Sequence, residues 1–110
     1  MASTLPAGEL FAWDALVTPT AQGIASRGLA RTAAGNITWF AFDAGEQLSE
    51  HTAPFDALVI TLTGSLALTI GGRDVQTTPQ SAVLMPANVP HAVRAIESSR
   101  MMLIMLRERE

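Results

Sequence analysis

Two histidines carry most of the chemistry open to this chain. His51 stands in the stretch 45–64, GEQLSEHTAPFDALVITLTG, and His91 closes the run PANVPH over 86–91. An imidazole near its ordinary pKa of ~6.5 exchanges a proton around neutral pH, and its neutral form offers a lone pair to a metal. The chain has no cysteine, lysine or tyrosine. Thiolate nucleophiles, cysteine metal ligands, disulfides, lysine Schiff bases and a tyrosine general acid are therefore excluded. Histidine, carboxylates, hydroxyls, arginine, backbone groups and a bound metal remain.

The rest of the chain has to position these two residues. Its 110 residues suit one domain, and 48% hydrophobic against 15% charged residues marks a folded globular chain. All seven cationic side chains are arginines, scattered with no basic run. With a net charge of −3 and a pI near 5.2, this excludes a nucleic-acid partner that relies on clustered cations. No apolar run approaches the ~20 residues of a membrane-spanning helix. The opening MASTLPAGEL has neither a basic region nor an apolar signal core, so the expectation is a cytoplasmic protein without a membrane partner.

Residues 1–22 read as a lead-in, with Glu9 to Trp13 suited to one helical turn or a short strand. Residues 23–110 read as one β domain. An irregular strand is expected within Gly23–Thr32, a turn over Ala33–Asn36, then short strands at Ile37–Phe42, Leu48–His51, Leu58–Thr63, Leu66–Ile70, Arg73–Thr77, Ser81–Met85, His91–Ile96 and Met101–Leu106. Gly71-Gly72 is a two-residue hairpin signal. Pro86 and Pro90 make the segment between them a loop, and Arg107–Glu110 reads as a solvated tail. Short strands at such spacing, separated by Gly and Pro turns, predict an all-β sandwich or barrel.

Alternation assigns the faces. With His51 inward, period two puts Ala53, Ala57, Val59, Thr61 and Thr63 on its side and Leu58, Ile60 and Leu62 on the other. That second face is also apolar, as are both faces of 101–106, MMLIML. A cover is therefore expected, from the lead-in or from a second copy in a homodimer.

Over about Ile37 to Leu106 the chain resembles a small single-domain bacterial cupin. The first family motif is a glycine, five residues, His-x-His, three or four residues, a glutamate, six residues and a glycine. Gly45, His51 and Gly64 match it, whereas Ala53 stands for the second histidine and Ala57 for the glutamate. In the second motif Pro86 and His91 match. Asn88, the non-glycine residue most at ease with positive φ, stands where glycine is common, and Gln80 or Ser81 replaces the leading glycine. The resemblance implies an antiparallel jelly-roll β-barrel open at one end, and often a dimer with exchanged N-terminal strands. It also implies one divalent metal (zinc, nickel, iron, manganese or copper) on three histidines and a glutamate, of which His51 and His91 are retained. Asp56 adjoins the lost glutamate but faces away on a regular strand, and becomes a ligand only if a bulge at Pro54 re-aims it.

The expected pocket holds His51, His91, Trp39, Gln47, Thr61 and Met101, with Phe42 also on its wall. Gln47 and Thr61 are weak oxygen donors. Met101 and Met105 share a strand face and are either core filler or thioether donors to copper. Three functions follow: a weakly ligated metal with a small-molecule ligand, a metal-free acid/base enzyme using a histidine, or a binding or sensor module without catalysis.

Overall fold

A computed structural model of the chain describes residues 5–13 and 23–107. Nine strands are formed there: β1 (Ile24–Thr32), β2 (Gly35–Phe42), β3 (Gln47–His51), β4 (Asp56–Thr63), β5 (Leu66–Ile70), β6 (Arg73–Gln76), β7 (Ser81–Met85), β8 (His91–Ala95) and β9 (Ser99–Leu106). They pair antiparallel in a five-stranded sheet, β1-β2-β9-β4-β7, and a four-stranded sheet, β3-β8-β5-β6. The crossings between sheets make a jelly-roll barrel, as the strand spacing predicts. Among the described residues no helix is long and apolar enough to cross a membrane. Residues 1–4 and 14–22 of the lead-in and 108–110 of the tail lie outside the described residues.

Local chemistry sets the strand limits. The turn expected at 33–36 is confined to Ala33-Ala34. Gly35 and Asn36 already pair with Leu106 and Met105 of β9, and a Cβ on Gly35 would collide with the Met105 carbonyl oxygen. β4 begins at Asp56 and β9 at Ser99, earlier than apolarity alone suggests, because Asp56 pairs with Leu106 and Ser99 with Phe42. In β1 the pairing shifts register between Gly28 and Ala30.

The sheets close over a core of Phe42, Ala57, Val59, Leu66, Leu68, Met85, Val93, Ala95 and Met101. Alternation holds along β4, where Ala57, Val59 and Thr61 are buried and Leu58, Ile60 and Leu62 half-buried. Thr63 departs from it: it is exposed, beyond a register shift between Thr61 and Thr63. One end of the barrel is plugged by hydroxyls. Thr77 Oγ1 accepts from Leu66 N at 3.0 Å and from Thr61 Oγ1 at 2.9 Å, and Ser65 Oγ donates to the Thr77 carbonyl at 2.8 Å. Ser99 Oγ accepts from Ser65 N at 3.0 Å. These bonds satisfy backbone groups that the strand ends would otherwise leave buried and unpaired.

Outside the five-stranded sheet a second cluster forms around Leu29 and Trp39, covered by Leu5 and Phe11. Trp13 stacks on Trp39 with ring centroids 4.6 Å apart and planes 10° from parallel. Leu5–Ala12 forms no strand or helix, and 3-10 helical conformation is met only at Trp13, where the described part of the segment ends. It lies on its own chain's sheet, anchored by Leu5 N donating to the Leu29 carbonyl at 2.9 Å.

Candidate functional site

β3 and β8 pair so that His51 stands directly across from His91. The edge of one ring meets the other, with centroids 4.4 Å apart and planes at 72°, and the two Nε2 atoms are 3.2 Å apart. His91 is buried, 4% exposed, while His51 is exposed and forms the rim. Each Nδ1 faces a carbonyl oxygen, that of Ser49 at 2.8 Å for His51 and of Val89 at 3.2 Å for His91. A carbonyl has no proton to give, so both Nδ1 atoms donate. Two neutral rings held this way turn two Nε2 lone pairs toward each other. That arrangement leaves the two Nε2 atoms able to share one proton or to offer two nitrogens to an ion. Burial, and then the charge of His51, push the His91 pKa below its ordinary value, against a smaller upward pull from the Val89 carbonyl.

The loop before β8 is pinned so that His91 is presented inward. Asp56 Oδ1 accepts from Ala87 N at 2.8 Å. Asn88 N donates to the Ala53 carbonyl and Gly71 N to the Pro90 carbonyl, each at 2.8 Å. Asn88 takes φ 64 and Gln80 φ 63, so both adopt the left-handed conformation that glycine usually supplies.

The Nε2 spacing matches a chelate. With metal–nitrogen bonds of ~2.0–2.1 Å, nitrogens at this separation subtend about 100–106° at the ion, near the tetrahedral angle. No group of three His, Cys, Asp or Glu side chains that could hold a metal assembles among the described residues. Ala57 leaves no carboxylate at the position of the family glutamate. The nitrogen and carboxylate donors thus come to a two-nitrogen pair with no carboxylate beside it.

Both rings line a cavity of about 30 Å³ with Leu48, Ala53, Ala57, Met85, Val93, Met101, Leu103 and Met105. That is room for about one water or ion. Of the residues expected around the histidines, only Met101 joins them there, together with Met105.

The others lie elsewhere. Trp39 is on the outer face of the five-stranded sheet, because β2 turns Phe40 and Phe42 inward instead. Phe42 is core and does not line the histidine cavity. Thr61 faces inward but sits in the hydroxyl plug, about 13 Å along β4 from Ala57 at ~3.3 Å per residue. Gln47 is exposed on the four-stranded sheet, in a broad hollow of about 380 Å³ with Thr69, Asp74, Gln76 and Arg94. That hollow is roomier than the histidine cavity but contains neither histidine. Asp56 is not re-aimed toward the histidines, and its carboxylate is used on the Ala87 amide. Sequence reading missed Leu48, Met85, Val93 and Leu103 on the cavity wall; the signal for Met85 lies in the register that sets it beside Ala57.

Comparison with known proteins gives this geometry a context. The sequence profile described as a cupin domain matches residues 38–107. No curated protein matches significantly. Among solved structures, a conserved protein of unknown function from Streptococcus pyogenes is 26% identical, with a TM-score of 0.90 over 99% of this chain and 96% of that one. A cupin superfamily protein from Desulfitobacterium hafniense is 24% identical, with a TM-score of 0.87 over 98% and 99% of the two chains. A cupin 2 conserved barrel domain protein from Leptotrichia buccalis is 32% identical, with a TM-score of 0.81 over 84% of this chain and 45% of that one.

Proposed function

The chain belongs to the cupin family, and from that premise we propose that it binds a small molecule at the His51–His91 end of its barrel, organised by a transition-metal ion on the two Nε2 atoms. The observation that carries this reading is the convergence of two lone pairs at 3.2 Å, enforced by backbone carbonyls at both Nδ1 atoms. Such anchoring is how metal-ligating histidines are held in one tautomer. When bound, the ion would act as a Lewis acid toward a donor atom of the ligand. Leu48, Val93 and Leu103 keep water from the inner side of the pair, and exposed His51 forms the entrance. Untagged protein purified without chelator is expected to carry or take up one metal equivalent, and His51→Ala or His91→Ala to lose it. Sub-stoichiometric uptake of every transition metal, unchanged by His51→Ala, would sink the reading.

A second reading rests on the same two rings. Burial and the neighbouring His51 lower the His91 pKa, so without a metal its Nε2, 3.2 Å from that of His51, is a neutral general base. Metal-free protein with undiminished turnover of a small substrate would favour it.

We also propose a homodimer through the outer face of the five-stranded sheet. Leu58, Ile60, Met102 and Ile104 are only half-buried there, and Leu84 and Leu106 are 53% and 51% exposed. An apolar sheet face of this kind is unusual on a monomer. Light scattering at micromolar concentration is expected to give a dimer mass, and a monomer mass would defeat the proposal.

A further inference from the structure

We propose that the metal favoured by this pocket is cuprous copper, held by the two imidazoles and by methionine thioethers that take the place of the family's missing carboxylate. The inference rests on the metal reading above and names the metal.

In the cross-strand row through Ala57, Met105 of β9 lies on one side and Met85 of β7 on the other. Directly opposed residues have Cβ atoms ~4.5–5.5 Å apart and share a face, so two thioethers flank the spot where the carboxylate would project. A third methionine, Met101, lines the same cavity on that sheet, and His51 and His91 line it from the other. Met85 and Met101 are 2% and 1% exposed, so their sulfurs do not compete with bulk water.

The donors are therefore two borderline nitrogens, several soft sulfurs and no anionic oxygen. Thioether and imidazole ligands select Cu(I), whereas iron and manganese favour carboxylate and water. Charge points the same way, because a cavity without a counter-anion tolerates a monovalent ion better than a divalent one. Its volume of about 30 Å³ suits the ion alone, which leaves the small molecule to approach from the exposed His51 rim.

The test is an anaerobic Cu(I) competition against a chromophoric chelator, run beside a Zn(II) titration on the full-length, untagged chain. The Met85→Leu/Met105→Leu variant preserves side-chain volume. It is expected to weaken Cu(I) about tenfold or more, the scale of losing a supporting group at a metal, and to leave Zn(II) affinity within about twofold. His51→Ala is expected to weaken both. Copper X-ray absorption on the native protein gives an answer that needs no variant: sulfur scatterers in the first shell are expected. A shell of nitrogen and oxygen alone, or undiminished Cu(I) affinity in the leucine variant, overturns the inference while Zn(II) binding to the histidines leaves the metal reading standing. If neither ion binds, both fall together.

Discussion

Replacing Thr77 by valine tests whether the two ends of the barrel have separate tasks. Thr77 Oγ1 is the acceptor for the Leu66 amide at 3.0 Å and the Thr61 hydroxyl at 2.9 Å, with Thr77, Leu66 and Thr61 all buried. Valine keeps the volume and removes the oxygen, leaving two buried donors with no partner. Each orphaned group costs about 1–3 kcal/mol, so the loss is about 2–6 kcal/mol. That is a large share of the ~5–15 kcal/mol typical of a domain. Urea denaturation should show an earlier midpoint with an unchanged slope, while Thr77→Ser, which keeps the oxygen, should lose much less. Metal affinity at the distant histidine pair should be unaffected. A loss below about 0.5 kcal/mol would mean the plug is not satisfied as described, and a weakened metal site would refute the separation of the two ends.

Further outcomes follow from the same geometry. Asp56→Ala removes the acceptor for Ala87 N and should cost about 1 kcal/mol while metal binding persists; abolished binding with unaltered stability would instead make Asp56 a ligand. Because the native pKa of His91 is lowered, the unfolded chain takes up a proton that the folded one resists. Stability should therefore be fully present above about pH 6.5 and fall as pH drops below it. His91→Gln should flatten that dependence in urea midpoints measured between pH 5 and 8. Trp13→Ala removes the ring stacked on Trp39 and should cost about 0.5–1.5 kcal/mol beyond the area exposed. The fluorescence of Trp39, then the single tryptophan, should shift to the red; unshifted emission would show that another group covers it.

What the sequence made legible was what depends on local chemistry. Glycine and proline punctuation located the strands, and period two placed Ala57, Val59 and Thr61 on one buried face. The preference of Asn88 for positive φ was likewise readable from its side chain alone, and the backbone adopts it at φ 64. What stayed hidden depends on register between strands distant in sequence. Alternation tells which way Thr61 points but not how far along the barrel it sits, and so does not separate a pocket wall from a plug. It is equally silent on Trp39, because Trp39 and its neighbours Phe40 and Phe42 are all apolar and either face would serve as core.

The case of Ala57 carries this furthest. Read along the chain, an alanine where the family has glutamate is a deletion. Read across the sheet, it lies between Met105 and Met85, and all three line the histidine cavity. A glutamate there would bring a charge into the same volume and would need a divalent ion, or a proton, to be tolerated. On the copper proposal the substitution changes the character of the site rather than weakening it. Ala57→Glu should accordingly trade Cu(I) affinity for divalent-ion affinity if the histidine pair is a metal chelate. A folded variant, judged by circular dichroism, that gains no divalent-ion affinity would refute the chelate.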